Sequence, residues 1–263
     1  MSGNRARSGR RRAGGDALAA RHGLAMADPV GQRDPRPQGR FAYLMDALRL
    51  RPAGRRALSA LAVVLCLGGA GMFAYPLVTD IYANEVLQQQ LADRYNSEEF
   101  EQRYVTRTVK HGDPLTRVII PALDVDAVVV EGTSAAALRA GAGHYPNTPL
   151  PGEEGNVAIA GHRTTYGKPF NRIDELAVGE QIRLETPLAT YTYRVVGHPR
   201  GVSGACPNGA CWITHPHDWS VVEQTDGAML TLTTCHPKGS AAQRLILRAE
   251  LVSTGPPPER ASS

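Results

Sequence analysis

Three side chains in this sequence have the types needed for acyl transfer. Cys235 closes the run MLTLTTC, Arg244 opens RLILRAEL, and His162 ends NVAIAGH. A cysteine thiol is mostly protonated at neutral pH, and a nearby imidazolium or guanidinium favours the reactive thiolate. The imidazole can then protonate a leaving amine, and a guanidinium can hold a peptide carbonyl or a tetrahedral oxyanion with planar donors that lysine lacks. Acyl transfer is the chemistry such a set supports.

The elements carrying these residues follow from the two-residue period of a strand. Leu230 and Leu232 face one way, while Met229, Thr231, Thr233 and Cys235 face the other. In the next run, Leu245, Leu247 and Leu251 oppose Arg244, Ile246, Arg248 and Glu250. In the third, Val157 and Ile159 are the core pair, leaving Ala158, Ala160 and His162 outside. Paired as an antiparallel hairpin, the last two strands set Cys235 opposite Arg244 at about 5 Å. Spacing leaves the position of His162 relative to that pair open.

From about Val109 the chain reads as short β-rich runs broken by Gly, Pro, Asn and Asp, the pattern of an all-β sandwich or barrel. Strands are predicted at 117–120, 127–131, 156–161, 181–185, 190–197, 229–234 and 244–252, with one short helix around 171–176. The proline-rich end GPPPERASS cannot continue a central strand, so the module is expected to close near Ser253.

At these residues the sequence resembles the sortases, and most closely their actinobacterial class E, through GHYPNTPLPGEEGNVAIAGHRTTYGKPFNRIDEL at 143–176 and TLTTCHPKGSAAQRLIL at 231–247. The family pattern of a TLxTC strand end, a later Arg and a His after the fourth strand falls on Cys235, Arg244 and His162. The resemblance implies an eight-stranded β-barrel over roughly 109–254 that cleaves an LPXTG-type sorting signal, LAXTG in class E, between Thr and Gly. The Thr would become a thioester on Cys235, and a peptidoglycan amine would resolve it, anchoring the substrate protein to the cell wall. A pilin-polymerising sortase, or an inactive membrane-tethered binding protein on the same barrel, are the alternatives. An L,D-transpeptidase would need an SHGC context, which TTCHP lacks.

Charge is unevenly distributed. Residues 1–56 hold thirteen Arg and four Asp, a local +9, which leaves −5 for the remainder of a chain whose net charge is +4. The basic segment abuts Ala57–Val78, which is uncharged over 22 residues. As a helix that run reaches about 33 Å, against a hydrocarbon core of about 30 Å. Arg51, Arg55 and Arg56 precede it and Asp80 and Glu85 follow, so the positive-inside rule predicts a single-pass protein with a cytoplasmic amino terminus and an extracellular catalytic module. The same rule accounts for the arginines without nucleic acid. A cleaved signal peptide has a shorter apolar core placed nearer the amino terminus. The expected layout is a disordered basic tail at 1–56, a membrane span at 57–78, a helical stalk at 79–108 capped near Thr79 or Asp80, the barrel at 109–254 and a disordered tail at 255–263.

Other features carry competing readings. His236 follows the nucleophile, but neighbouring strand residues point to opposite faces. Cys206 and Cys211 in ACPNGACW suit a local disulfide in an exported module; a zinc site with His215 and His217 is the sharper alternative, at a spacing that fits poorly. Asp124, Asp126 and Glu131 supply too few oxygens for calcium, and no metal or cofactor is expected. Tyr166 could line a peptide groove or lie on the surface. Leu251–Gly255 reads LVSTG, an echo of a sorting signal in what should be the last strand.

Overall fold

The computed structural model describes residues 52–199, 202 and 206–259. The basic tail predicted for 1–56 lies outside these residues apart from its end. By compactness the chain divides into Met1–Leu61 and Ala62–Ser263.

A helix spans Pro52–Ile81 and passes through a π-helical turn, Tyr82–Leu87, into a further helical stretch, Gln88–Tyr95. Its most apolar window has a mean hydropathy of 2.1, long and apolar enough to cross a membrane. Leu61, Leu65, Met72, Phe73 and Val78 are all exposed on it. The cap expected at Thr79 or Asp80 is absent. Thr79 Oγ1 instead donates back to Pro76 O at 3.0 Å, and the helix continues. The break comes at Ser97, whose side chain accepts from Phe100 N and starts the helix Glu98–Val105. Glu98, Glu99 and Glu101 in its first turn suit the positive end of the helix dipole.

The segment read as a stalk is packed on the barrel. Leu91, Tyr95, Phe100 and Tyr104 form an apolar stripe buried against Leu115, Val128 and Val130. Gln88 works like an added backbone pair: Oε1 accepts from Val128 N at 2.8 Å and Nε2 donates to Ala140 O at 2.6 Å. Arg94 and Arg103 both reach Asp113, at 2.5 and 2.9 Å. Aromatic residues at helical spacing, in a segment otherwise rich in charge, need a surface to cover, and strands β1 (Pro114–Ile120) and β2 (Val125–Glu131) supply it.

Seven more strands follow: β3 (Ala142–His144), β4 (Gly155–Ala160), β5 (Gln181–Glu185), β6 (Thr190–Val195), β7 (Cys211–Thr214), β8 (Ala228–His236) and β9 (Gln243–Gly255). Eight of the nine close into a ring in the order β6-β5-β1-β2-β3-β4-β8-β9, with β9 returning to β6. The expected eight-stranded barrel is therefore present. β7 is an additional short strand, and β9 accommodates it by its length. Arg244–Leu247 pair with β7, and Ala249–Gly255 then pair with β6. Sequence reading missed β3, which is three residues of Ala, Gly and His, and β7, which lies inside a loop-like Pro/Gly context.

Alternate residues of these strands fill the interior, where Val118, Ile159, Leu184, Tyr193, Leu230, Leu232, Leu245 and Leu247 are all buried. The predicted short helix is a 3-10 turn, Ile173–Glu175. Phe170, Ile173 and Leu176 join the same core, which pins the segment running from the end of β4. Pairing continues to Gly255, opposite Thr190, so LVSTG is strand.

Candidate active site

The hairpin register sets Cys235 opposite Arg244. The neighbour on the other side of β8 is β4, which runs parallel to it with Ala160 beside Thr233. Two bonds hold the strands together beyond that point: Gly161 N donates to Thr233 O at 3.0 Å, and Thr234 Oγ1 donates to Gly161 O at 2.7 Å. His162 therefore leaves β4 at the level of Cys235. The parallel β4–β8 pairing settles the position that spacing left open. His162, Cys235 and Arg244 line one cavity of about 240 Å³, with Tyr145, Thr233 and Trp219. A larger cavity of about 420 Å³ lies along Gln88, Asp126, Gly167 and Arg172 and contains none of the three.

The face carrying these residues is the outside of the barrel, as the strand period requires, yet Thr231 and Thr233 are buried there. Trp212, Val221 and Ile246 form a small apolar cluster that covers this face. The groove is thus roofed by the turn Trp219–Val222. Cys235 is a free, half-buried thiol. Burial lowers the His162 pKa below the usual imidazole value, favouring a neutral ring. Its ring lies 5.1 Å from that of Tyr166, tilted by 45°. Arg244 is held by the β8–β9 loop: its Nη1 donates to Ala241 O and Gln243 O, both at 3.0 Å. Tyr145 and Thr233 share a hydroxyl–hydroxyl bond of 3.0 Å.

The Sortase domain family model matches residues 118–252. The chain belongs to the sortase family.

Sortase D of Bacillus subtilis (strain 168) is 33% identical over 138 residues, 51% of this chain and 62% of that protein. Sortase SrtE1 of Streptomyces coelicolor is 31% identical over 152 residues, 52% of this chain and 40% of the relative. The chain thus spans less than two thirds of either relative. A Clostridium perfringens sortase D5 transpeptidase has a TM-score of 0.52 at 28% identity, covering 65% of this chain and 99% of that one. SrtF sortase from Corynebacterium diphtheriae gives 0.51 at 32%, covering 59% and 93%. The class E resemblance read from the sequence is matched by SrtE1, beside relatives of the D and F types.

Sequence reasoning passed over one residue that this sortase places directly behind Cys235. Arg163 is 3% exposed. Its Nη1 donates to Cys235 O at 3.2 Å and to His236 Nδ1 at 2.9 Å, and its Nη2 pairs with Asp174 at 2.9 Å. Asn171 Nδ2 donates to Arg163 O at 2.6 Å. A buried guanidinium has to be paired and hydrogen-bonded, and here its partners are the Cys235 carbonyl and the 3-10 turn. The only sequence signal was its adjacency to His162. His236 faces this network and does not line the groove. Burial, and then the Arg163 charge, lower its pKa.

The remaining candidates resolve separately. Cys206 and Cys211 form a disulfide with a Cα–Cα distance of 5.2 Å, which commits both thiols that a zinc site would have used. His215 and His217 lie ring to ring at 5.4 Å. Of the three acids considered for calcium, Asp126 pairs with Arg117 at 2.6 Å and Glu131 with buried His144 at 2.7 Å, while Asp124 sits in a left-handed turn.

Proposed function

We propose that this sortase is a cysteine transpeptidase in which Cys235 is the nucleophile, His162 the proton-transfer residue and Arg244 the oxyanion and substrate clamp. The observation that carries this reading is the convergence of the three on one 240 Å³ groove, from β8, the end of β4 and the start of β9. The Cys235 sulfur attacks the carbonyl carbon of the Thr–Gly bond in an LAXTG- or LPXTG-type signal. His162 takes the thiol proton as the sulfur attacks, the carbon–nitrogen bond breaks, and His162 delivers that proton to the departing glycine amine. An incoming amine then attacks the thioester, gives up its proton to His162 and releases the thiol. Planar donors on Arg244 hold the developing oxyanion in both steps.

The acceptor in this reading is a peptidoglycan amine, and the product is a wall-anchored surface protein. Residues 57–78 form the membrane anchor, with the basic tail inside and residues 109–254 outside as the catalytic barrel. The clustering of Arg before the apolar helix, and of acids after it, supports that orientation. The similarity to SrtE1 favours LAXTG as the signal.

The test is the full chain in detergent with an LAXTG peptide and triglycine, products read by mass spectrometry. A thioester on Cys235 and a Thr-triglycine adduct, both lost in Cys235→Ala, are expected. Arg244→Lys should keep the fold and lose about 100-fold in kcat, since a lysine offers no fixed pair of donors. A wild type inert toward both LAXTG and LPXTG peptides would instead support the binding-protein reading.

A further inference from the structure

We infer that Tyr166 is a positioning residue for His162 and that the membrane-anchoring helix, through Asp80 and Tyr75, holds it there, making the anchor part of the catalytic apparatus. This rests on the reading of His162 given above. Its starting point is the segment that connects His162 to the buried Phe170. Phe170 N donates to His162 O at 3.2 Å and closes it into a loop. At its tip three successive residues adopt left-handed backbone: Tyr166 at φ 53°, Gly167 at 75° and Lys168 at 39°. Two of the three are not glycine, and side-chain-bearing residues hold such angles only where their surroundings impose them.

The surroundings are the helix that leaves the apolar span. Asp80 is the one buried residue described for Pro52–Ile81, at 8% exposure on a helix whose other large side chains point outward. Its Oδ2 accepts from Lys168 Nζ at 2.6 Å and its Oδ1 from Gly167 N at 3.2 Å. One turn on, Asn84 lies so near Gly167 that a Cβ there would meet its Oδ1 at 2.4 Å, and the glycine, at φ 75°, leaves room for that side chain. Before Asp80, the Tyr75 hydroxyl bonds that of Tyr166 at 2.9 Å. The Tyr166 ring in turn lies against His162. A chain of contacts thus runs from the anchor to the proton-transfer imidazole.

A carboxylate placed just past a lipid-facing run has no packing reason to be buried. Its burial is explained by what it grips. The contact fixes the height and tilt of the loop, and the Tyr166 ring then removes water from one side of His162. That shielding adds to the burial that favours the neutral imidazole. The other titratable or charged groups lining the cavity with His162 are Cys235, Arg244, Asp218 and Tyr145, and Arg163 adjoins it in sequence. None of these is altered by changes at Asp80 or Tyr166.

The experiment uses the full chain in lipid nanodiscs with a quenched fluorescent LAXTG peptide and triglycine, comparing wild type, Asp80→Asn, Tyr166→Phe, Tyr166→Ala and the charge swap Asp80→Lys with Lys168→Asp. Asp80→Asn and Tyr166→Ala should each lose about tenfold in kcat, with KM within about twofold, as expected for a displaced catalytic group. Tyr166→Phe, which keeps the ring, should lose less than Tyr166→Ala. In Tyr166→Ala the pH–rate limb belonging to His162 should move upward, because a more hydrated imidazole holds its proton to higher pH. The charge swap should restore more than half of the rate lost by Asp80→Asn, an outcome that a merely unfolded variant cannot give. Wild-type kcat with an unmoved limb in both Asp80→Asn and Tyr166→Ala overturns the inference, as does a loss confined to KM. His162→Ala and Cys235→Ala run alongside: their retaining activity would overturn the reading of the site itself.

Discussion

Replacing Arg163 with Met tests the account of what supports the Cys235 end of β8. The substitution keeps the apolar stem and deletes a guanidinium that is 3% exposed and bonded to Cys235 O, His236 Nδ1 and Asp174. Breaking a buried ion pair from one side costs about 3–5 kcal/mol, chiefly because the surviving charge is stranded. The Asp174 side chain retains 29% exposure, so water offsets part of that penalty, and the lower end, about 3 kcal/mol, is expected. For a domain of this size that corresponds to a fall in Tm of about 6–12 °C. The double variant Arg163→Met with Asp174→Ala removes the stranded charge and should recover about half the loss, about 1.5 kcal/mol. Urea unfolding of the full chain in detergent, followed by tryptophan fluorescence, measures all three proteins. If Arg163→Met costs less than about 1 kcal/mol, or if the double variant is no more stable than the single, the guanidinium is not holding this end of β8 in the way described.

Acid sensitivity follows from His162 and His236, both with pKa values lowered by burial. Because the unfolded chain takes up those protons first, stability is fully present above the unfolded value of about 6.5 and declines as pH falls below it. His162→Gln should flatten that decline, seen as a smaller drop in urea midpoint between pH 7 and pH 5. Leu232→Ala, at a fully buried position on the inner face of β8, should cost about 2–5 kcal/mol in the same unfolding assay and leave the groove's side chains unchanged. Removing the Cys206–Cys211 disulfide by Cys206→Ser with Cys211→Ser closes no long loop and should cost at most about 2 kcal/mol by chain entropy, read as a shift in Tm.

Much of this architecture was already present in local pattern. Alternation along MLTLTTC and RLILRAEL is a property of extended backbone, so the shared outer face of Cys235 and Arg244, and their opposition across the hairpin, needed only the assumption that consecutive strands pair. The apolar run before residue 79 declared, by length and lack of charge, a helix long and apolar enough to cross a membrane. The position of His162 needed more than local pattern, because it depends on β4 lying parallel to β8, a pairing between segments some 70 residues apart that no local period encodes.

The same limit explains the other gaps. β7 forms only because β9 is long enough to pair with it before reaching β6, so four residues that read as loop become strand. The helical segment after the apolar run lies on the barrel because β1 and β2 offer an apolar face, whereas its own periodicity showed only that it had something to bury. Asp80 read as a helix cap or an acid following the apolar run, and Arg163 drew no reading; it is burial beside partners distant in sequence that sets one against the His162 loop and the other behind Cys235. The sequence by itself determined which side chains face together along a strand, since that follows from backbone geometry. Only the tertiary structure decided which strands are neighbours and which charges lose their water, since both depend on contacts between residues far apart in the chain.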